Sequence, residues 1–111
     1  TFGGNHLACT AALAVLKVIE EEKLVENSQA IGDYLIEELS KMPIFKEVRG
    51  RGLMIGMELN PGYETLRDKL LFEEHMFTGG AGANVIRLLP PLTIDKQTAD
   101  KFIDAIKKLT A

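Results

Sequence analysis

The chain has 111 residues, of which 46% are hydrophobic and 26% are charged, a balance typical of one folded domain rather than a disordered segment. Its net charge of −3, without a cluster of basic residues, argues against a surface for nucleic acid or for an anionic membrane. The single cysteine, Cys9, excludes a disulfide framework and a cysteine-based metal site, and it is consistent with a reducing cytoplasm.

The chain starts at Thr1 rather than at a methionine, and no basic and apolar leader precedes the first predicted helix. Its longest apolar run is far too short to cross a bilayer, which argues against a membrane protein. We therefore expect a segment of a longer, cytoplasmic protein.

Residues 1–23 predict a loop and then a helix that is apolar almost all round. The paired glycines at 3 and 4 favour a turn, and Asn5 can cap the helix that follows. Nearly every position from Leu7 to Ile19 is apolar or small. Such a helix requires burial on more than one side, so we expect part of it to lie against another domain or subunit.

The segment 24–41 predicts an amphipathic helix that ends before Pro43. Gly32 lies within it and weakens it by about 1 kcal/mol relative to alanine. The stripe that faces the core is predicted to contain Ser28, Ile31, Leu35, Leu39 and Met42.

Two strands are predicted next, at 45–48 and 53–59, with a glycine-containing turn at 49–52 between them. The second strand is the stronger of the two, because its large apolar residues alternate with others. Leu53, Ile55, Met57 and Leu59 therefore share one face.

The last third predicts a helix at 63–75, a brief strand at 76–78, a tight glycine loop at 79–83 and a strand from Asn84 that two prolines stop. A closing helix follows, with Asp95 as its N-cap. Its buried residues are predicted to be Ala99, Phe102, Ile103, Ile106 and Leu109. This order of elements predicts an α/β (α+β) fold with a small, largely antiparallel sheet of three to four strands, covered by helices.

Arg87 is the strongest candidate for a functional residue. It follows the β-branched pair Val85 and Ile86, and Pro90 and Pro91 make the exit from its strand rigid. A guanidinium on a stiff platform suits bidentate recognition of a carboxylate or phosphate. A structural ion pair is the alternative that the residues leave open.

Other candidates carry weaker signals. The glycine loop at 79–82 lacks the lysine and hydroxyl of a phosphate-binding loop, so a plain turn is the better interpretation. His6 and His75 have no partner at metal-ligand spacing, and no metal site is predicted. The segment 1–5 is more promising, because a hydroxyl and free N–H groups ahead of a helix can bind an anion. Arg49 and its neighbour Arg51 are interpreted as ion-pairing residues, with a phosphate role less favoured.

Three stretches together resemble motifs of the class III pyridoxal-phosphate aminotransferases. They are Thr1-Phe-Gly-Gly-Asn-His-Leu-Ala-Cys9, Val48-Arg-Gly-Arg-Gly-Leu-Met-Ile-Gly56 and Asn84-Val-Ile-Arg-Leu-Leu-Pro-Pro-Leu92. The third is most similar to the acetylornithine aminotransferases. The resemblance implies that 1–111 is the C-terminal small domain of a fold type I enzyme, with 1–23 at an interdomain or dimer interface.

The resemblance also implies roles for two residues. Thr1 matches a threonine that contacts the phosphate of pyridoxal 5′-phosphate held in the neighbouring subunit of a homodimer. Arg87 matches the arginine that binds the substrate carboxylate and so orients the amino group and Cα. His6 departs from the pattern, because proline is usual at that position. The lysine that binds the cofactor covalently belongs to a large domain upstream of Thr1, and this chain has no matching lysine motif.

The activity implied for the full-length enzyme is transfer of an amino group from N-acetylornithine or succinylornithine to 2-oxoglutarate, a step of arginine biosynthesis. The fragment alone is expected to be inactive. An ornithine or 4-aminobutyrate aminotransferase is an alternative within the class, although a substrate without an α-carboxylate gives Arg87 less to bind. A stand-alone module that binds a partner protein through the helix at 7–19 is the alternative outside it.

Overall fold

The computed structural model describes all 111 residues, as four helices and one four-stranded sheet. The predicted α+β class is confirmed. In chain order the elements are α1 His6–Glu21, α2 Leu24–Ser40, β1 Phe45–Arg51, β2 Met54–Leu59, α3 Leu66–Phe72, β3 Gly79–Gly80, β4 Val85–Leu88 and α4 Lys96–Thr110.

The sheet has the strand order β1-β2-β4-β3, and every neighbouring pair is antiparallel. β1 and β2 form a hairpin, whereas β4 joins the other side of β2 after the chain has passed through α3. β3 pairs only with β4 and lies at the edge. β4 is therefore an interior strand, supported from both sides.

The helices cover one face of the sheet. Alternation along β2 and β4 directs Ile55, Met57, Ile86 and Leu88 to this face, where all four are buried. They join one core cluster with residues of α2, α3 and α4, among them Leu39, Leu70 and Ile106. The opposite face of the sheet carries no helix of this chain, and Met54 and Arg87 on it are exposed.

α1 stands apart from this core. None of its residues is buried, and it packs against α2. Asn5 caps it as predicted, since its side chain accepts a hydrogen bond from the Ala8 N–H at 2.9 Å. The apolar side chains of Leu7, Leu13 and Leu16 remain 81%, 67% and 60% exposed. The burial of this helix against another domain or subunit remains a prediction.

The predicted turn at 49–52 is wrong, because β1 continues to Arg51, which pairs with Met54. Only Gly52 and Leu53 lie in the turn. A two-residue hairpin requires a positive φ, and Gly52 provides it at +56°. The sequence pattern placed the turn too early because β1 has exposed, charged residues that weaken its strand signal.

The region between β2 and β4 also differs from prediction. α3 covers only Leu66–Phe72, and His75 at φ +56° terminates the helical path. No strand forms at 76–78. Gly79–Gly80, predicted as part of a loop, instead pairs with β4. Glycine has low strand propensity, so this pairing depends on the unoccupied edge of β4. The residues around Gly79 therefore do not predict it on their own.

α2 and α4 are joined by a polar cluster at their contact. The hydroxyl of Tyr34 donates to a carboxylate oxygen of Asp100, and the Lys96 ammonium lies 3.1 Å from the other. Lys96 also lies 4.4 Å from the centre of the Tyr34 ring. The hydrogen bond to Asp100 raises the pKa of Tyr34, and the same bond lowers the pKa of Asp100.

Asp95 begins α4 as predicted, because its carboxylate accepts the Thr98 N–H at 2.7 Å. Hydrogen bonds from Thr98, from the side chain and then the backbone, lower the pKa of Asp95 below its ordinary 3.8. A lowered pKa in the folded state means that the stabilisation is complete above the ordinary pKa and is lost as pH falls through the lowered one.

We expect Asp95→Asn to retain the cap while removing its pH dependence, because an amide oxygen accepts without titrating. The urea unfolding midpoint, measured from about pH 5 down to about pH 3, should fall less steeply in Asp95→Asn than in the wild type. Parallel curves for the two proteins would contradict this account of the cap.

Candidate functional site

Arg87 lies in the interior strand β4, on the face of the sheet that no helix of this chain covers. Its neighbours Ile86 and Leu88 are buried on the other face, so the core holds the backbone on both sides of the arginine. In the sheet register it lies opposite Gly56 of β2 and Gly79 of β3. The guanidinium therefore projects from a fixed strand flanked by two residues without side chains.

No carboxylate of this chain pairs with Arg87, and its side chain makes no hydrogen bond within the chain. Arg49, on the same face across β2, is different. Its guanidinium lies 3.0 Å from Glu47 and 3.5 Å from Glu58. The structural ion pair considered for Arg87 thus has no partner in this chain, whereas the ion pairs expected for Arg49 are present.

A groove of about 700 Å³ borders Arg87. Its walls come from the segment before β3, from the exit of β4 and from the first half of α4. Leu89, Pro90 and Phe102 contribute apolar surface. The amide of Asn27 donates to the carbonyls of Leu92 and Ile94 at 2.7 and 2.9 Å, which ties the proline exit to α2. The predicted rigidity of this exit therefore has a second source.

Thr78 also lines this groove, and the sequence interpretation missed it. The residue is only 8% exposed, and its hydroxyl is the one buried side-chain polar atom without a hydrogen-bond partner in the chain. A buried hydroxyl without a partner is uncommon. No local pattern distinguishes Thr78 from an ordinary loop threonine.

The other predicted anion site lies at the start of α1. Thr1 is exposed, and a side chain added at Gly3 or Gly4 would meet no atom within 4 Å. The first-turn N–H groups of His6 and Leu7 have no acceptor in the chain. An exposed hydroxyl, open glycine backbone and free N–H groups are suited to a phosphate.

Thr1 and Arg87 are not brought together within one copy of the chain. Thr1 lies before α1, which contacts α2, whereas Arg87 lies on the uncovered face of the sheet. His6 occupies the first position of α1 without disturbing the cap at Asn5, so the helix start tolerates histidine.

No group of histidine, cysteine or carboxylate side chains in the chain could hold a metal ion, and His6, Cys9 and His75 are all exposed. No helix has both the length and the hydrophobicity needed to cross a membrane. Arg87 and the start of α1 are the two candidate sites for an anion.

Residues 1–110 match the profile of the family described as Aminotransferase class-III. The ornithine aminotransferase of Staphylococcus carnosus is 45% identical in an alignment that covers 98% of this chain and 28% of that protein. The acetylornithine aminotransferase of Archaeoglobus fulgidus is 44% identical over 104 residues, 94% of this chain and 27% of that protein. The chain therefore spans little more than a quarter of these relatives.

Solved structures show the same fold. The acetylornithine aminotransferase from Elizabethkingia anophelis superposes with a TM-score of 0.83 at 33% identity, over 97% of this chain and 30% of that one. An ornithine aminotransferase from Toxoplasma gondii, with partial occupancy of PLP at its active site, gives a TM-score of 0.80 at 30% identity, over 97% of this chain and 27% of that one.

Proposed function

Since this chain belongs to the class III aminotransferase family, which implies pyridoxal phosphate as cofactor, we propose that it is the C-terminal small domain of a longer transaminase. The matched relatives extend well beyond it, which supports this assignment of 1–111. The large domain with the cofactor-binding lysine then belongs to the rest of the enzyme, and 2-oxoglutarate is the amino acceptor.

The unpaired guanidinium of Arg87 is the observation that carries the proposal. Arg87 lies on a rigid interior strand, is one of the residues that line the groove, and has no anion of its own chain to neutralise it. In the proposed role it binds the substrate carboxylate through two parallel hydrogen bonds. Pyridoxal phosphate, when bound, supplies the ring that stabilises negative charge at the reacting carbon. Arg87 contributes orientation, since a held carboxylate restricts where the amino group can lie.

Thr1 has a separate proposed role, contact with the cofactor phosphate held by the neighbouring subunit of a homodimer. Its exposed hydroxyl and the open backbone at Gly3 and Gly4 support this assignment. The segment 1–23 then lies at the interface with the large domain or the second subunit. The unburied apolar side chains of α1, such as Leu13 and Leu16, support it as well, because each would lose its contact with water there.

For the substrate we propose N-acetylornithine, or its succinyl analogue, with a place in arginine biosynthesis in the cytoplasm. The Arg87-Leu-Leu-Pro-Pro91 stretch supports it. Ornithine is the second candidate, because the relative from Staphylococcus carnosus, at 45% identity, carries that name. Both substrates have a carboxylate for Arg87, so this chain's anchor serves either.

The experiment is a comparison of amino donors with the purified full-length enzyme, pyridoxal phosphate and 2-oxoglutarate, with glutamate as the measured product. We expect N-acetylornithine to give the highest kcat/KM, ahead of ornithine and 4-aminobutyrate. Preference for ornithine would select the second candidate. No glutamate from any of these donors would contradict the proposed reaction.

The 111-residue chain alone should form no glutamate in the same assay, because the lysine proposed to bind the cofactor covalently lies in the large domain. Sustained turnover by the isolated chain would contradict the proposal that the large domain is required for catalysis. As a control, the chain is mixed with the separately produced remainder of the enzyme, and glutamate formation by this mixture shows that the reagents are intact.

A further inference from the structure

Arg87 has glycine opposite it on both neighbouring strands. Gly56 of β2 and Gly79 of β3 are its register partners, and neither has a positive φ. Any L residue can adopt the backbone conformation of these two positions, so backbone conformation does not explain why glycine is present. The remaining physical reason for glycine is the space that a side chain would occupy on the face of the sheet where Arg87 lies.

The two glycines differ in what lies above them. A Cβ at Gly79 would lie 3.3 Å from the carbonyl oxygen, 3.4 Å from Nε and 3.6 Å from Nη2 of Arg87. A Cβ at Gly56 would have Val85 Cγ1 at 3.6 Å and the carbonyl oxygen of Arg49 at 3.9 Å as its nearest neighbours. The guanidinium of Arg87 therefore leans over Gly79 and away from Gly56.

We propose that Gly79 is a positioning residue for Arg87, because its missing side chain leaves the surface on which the guanidinium lies. The inference rests on the proposed role of Arg87 as the carboxylate anchor. A guanidinium is planar and presents its donors as a fork, so contact with β3 sets the direction of the fork as well as its place. Gly79 itself touches no substrate.

These distances indicate how a side chain at position 79 would affect Arg87. The contact of 3.3 Å with the carbonyl oxygen of Arg87 is tighter than most Cβ contacts, so alanine requires the backbones of β3 and β4 to separate by a few tenths of an ångström. The same methyl group would lie in van der Waals contact with Nε of Arg87 at 3.4 Å. Valine adds two methyl groups above the strand, where Nε and Nη2 lie, and displaces the guanidinium. Valine also suits an extended strand, so β3 can still pair with β4.

The test uses the full-length enzyme with pyridoxal phosphate in four variants: Gly79→Ala, Gly79→Val, Gly56→Ala and Arg87→Ala. KM for the amino donor and for 2-oxoglutarate, kcat, and the visible absorption of the bound cofactor are measured for each. We expect KM to rise about 3- to 10-fold in Gly79→Ala and more than about 10-fold in Gly79→Val, because small displacements of a positioned group are costly. Gly56→Ala, the matched control, should stay within about twofold of the wild type.

The double variant Gly79→Val with Arg87→Ala separates positioning from general damage. If Gly79 acts through the guanidinium, adding Gly79→Val should raise KM no further once Arg87 is gone. Additive losses would overturn the inference, as would equal losses in Gly79→Ala and Gly56→Ala. If the valine variant does not fold, the KM values of Gly79→Ala, compared with those of Gly56→Ala, test the inference.

The outcomes also separate this inference from the proposed function. Wild-type KM values in Arg87→Ala would refute the anchor itself and the inference with it. A large loss in Arg87→Ala together with unchanged KM values in both Gly79 variants would leave the anchor standing and overturn only the role of Gly79.

Discussion

Replacing Arg87 with alanine in the full-length enzyme is expected to weaken binding of carboxylate substrates by about 2–5 kcal/mol, since a charge-assisted, bidentate contact is lost. This corresponds to a rise in the dissociation constant of roughly 30-fold to several thousand-fold. Both the amino donor and 2-oxoglutarate should be affected, because each presents a carboxylate. Steady-state KM and kcat/KM for the two substrates give the measurement.

Arg49→Ala is the matched control for Arg87→Ala. Arg49 lies on the same uncovered face, but Glu47 and Glu58 already neutralise it. Its exposed ion pairs should contribute about 0–1 kcal/mol to stability and nothing to substrate binding. Arg87→Lys retains the charge without the fork and should recover only part of the loss. Equal effects of Arg49→Ala and Arg87→Ala would contradict a specific anchor at Arg87.

Gly32→Ala is expected to destabilise the domain by about 3 kcal/mol, although alanine is the better helix former. Gly32 is buried in α2, where it faces the β1–β2 turn. A Cβ at this position would lie 2.0 Å from the carbonyl oxygen of Gly52 and 2.5 Å from its carbonyl carbon. Backbone atoms cannot rotate away, so α2 or the hairpin must shift. The urea unfolding midpoint of the full-length enzyme should fall accordingly.

Ala30→Gly is the control for Gly32→Ala. Ala30 is exposed in the same helix, and there glycine should cost the ordinary helix penalty of about 1 kcal/mol. Alanine is thus favoured at position 30 and disfavoured at position 32. An unfolding midpoint in Gly32→Ala equal to or above that of the wild type would refute the close packing of α2 on the turn.

Local patterns predicted much of the fold correctly. Alternation in 53–59 identified the buried face of β2, because a half-buried strand must place Ile55 and Met57 on one side. The N-caps at Asn5 and Asp95 were also predicted, since capping depends on residues only three positions apart. These features share short-range causes.

The misplaced turn at 49–52 has a local cause, the exposed and charged residues of β1, whereas two other features depend on long-range contacts. Sequence alone describes Gly32 only through helix propensity, whereas the glycine is required by the close approach of Gly52, which is distant in sequence. The local pattern places Gly79 in a loop, because its strand pairing depends on Arg87. The place of Arg87 on a strand agrees with prediction. Its two glycine neighbours follow from the sheet register, which no single stretch encodes.

The central claim is that Arg87 binds the substrate carboxylate. The most direct test compares the effect of Arg87→Ala on N-acetylornithine and on 4-acetamidobutylamine, the same donor without its carboxylate. Dissociation constants are obtained from the change in cofactor absorption of the full-length enzyme on titration with each amine. We expect Arg87→Ala to weaken N-acetylornithine at least about 30-fold and to leave 4-acetamidobutylamine within about twofold. Equal weakening of both amines would contradict the claim, because the loss would then not depend on the carboxylate.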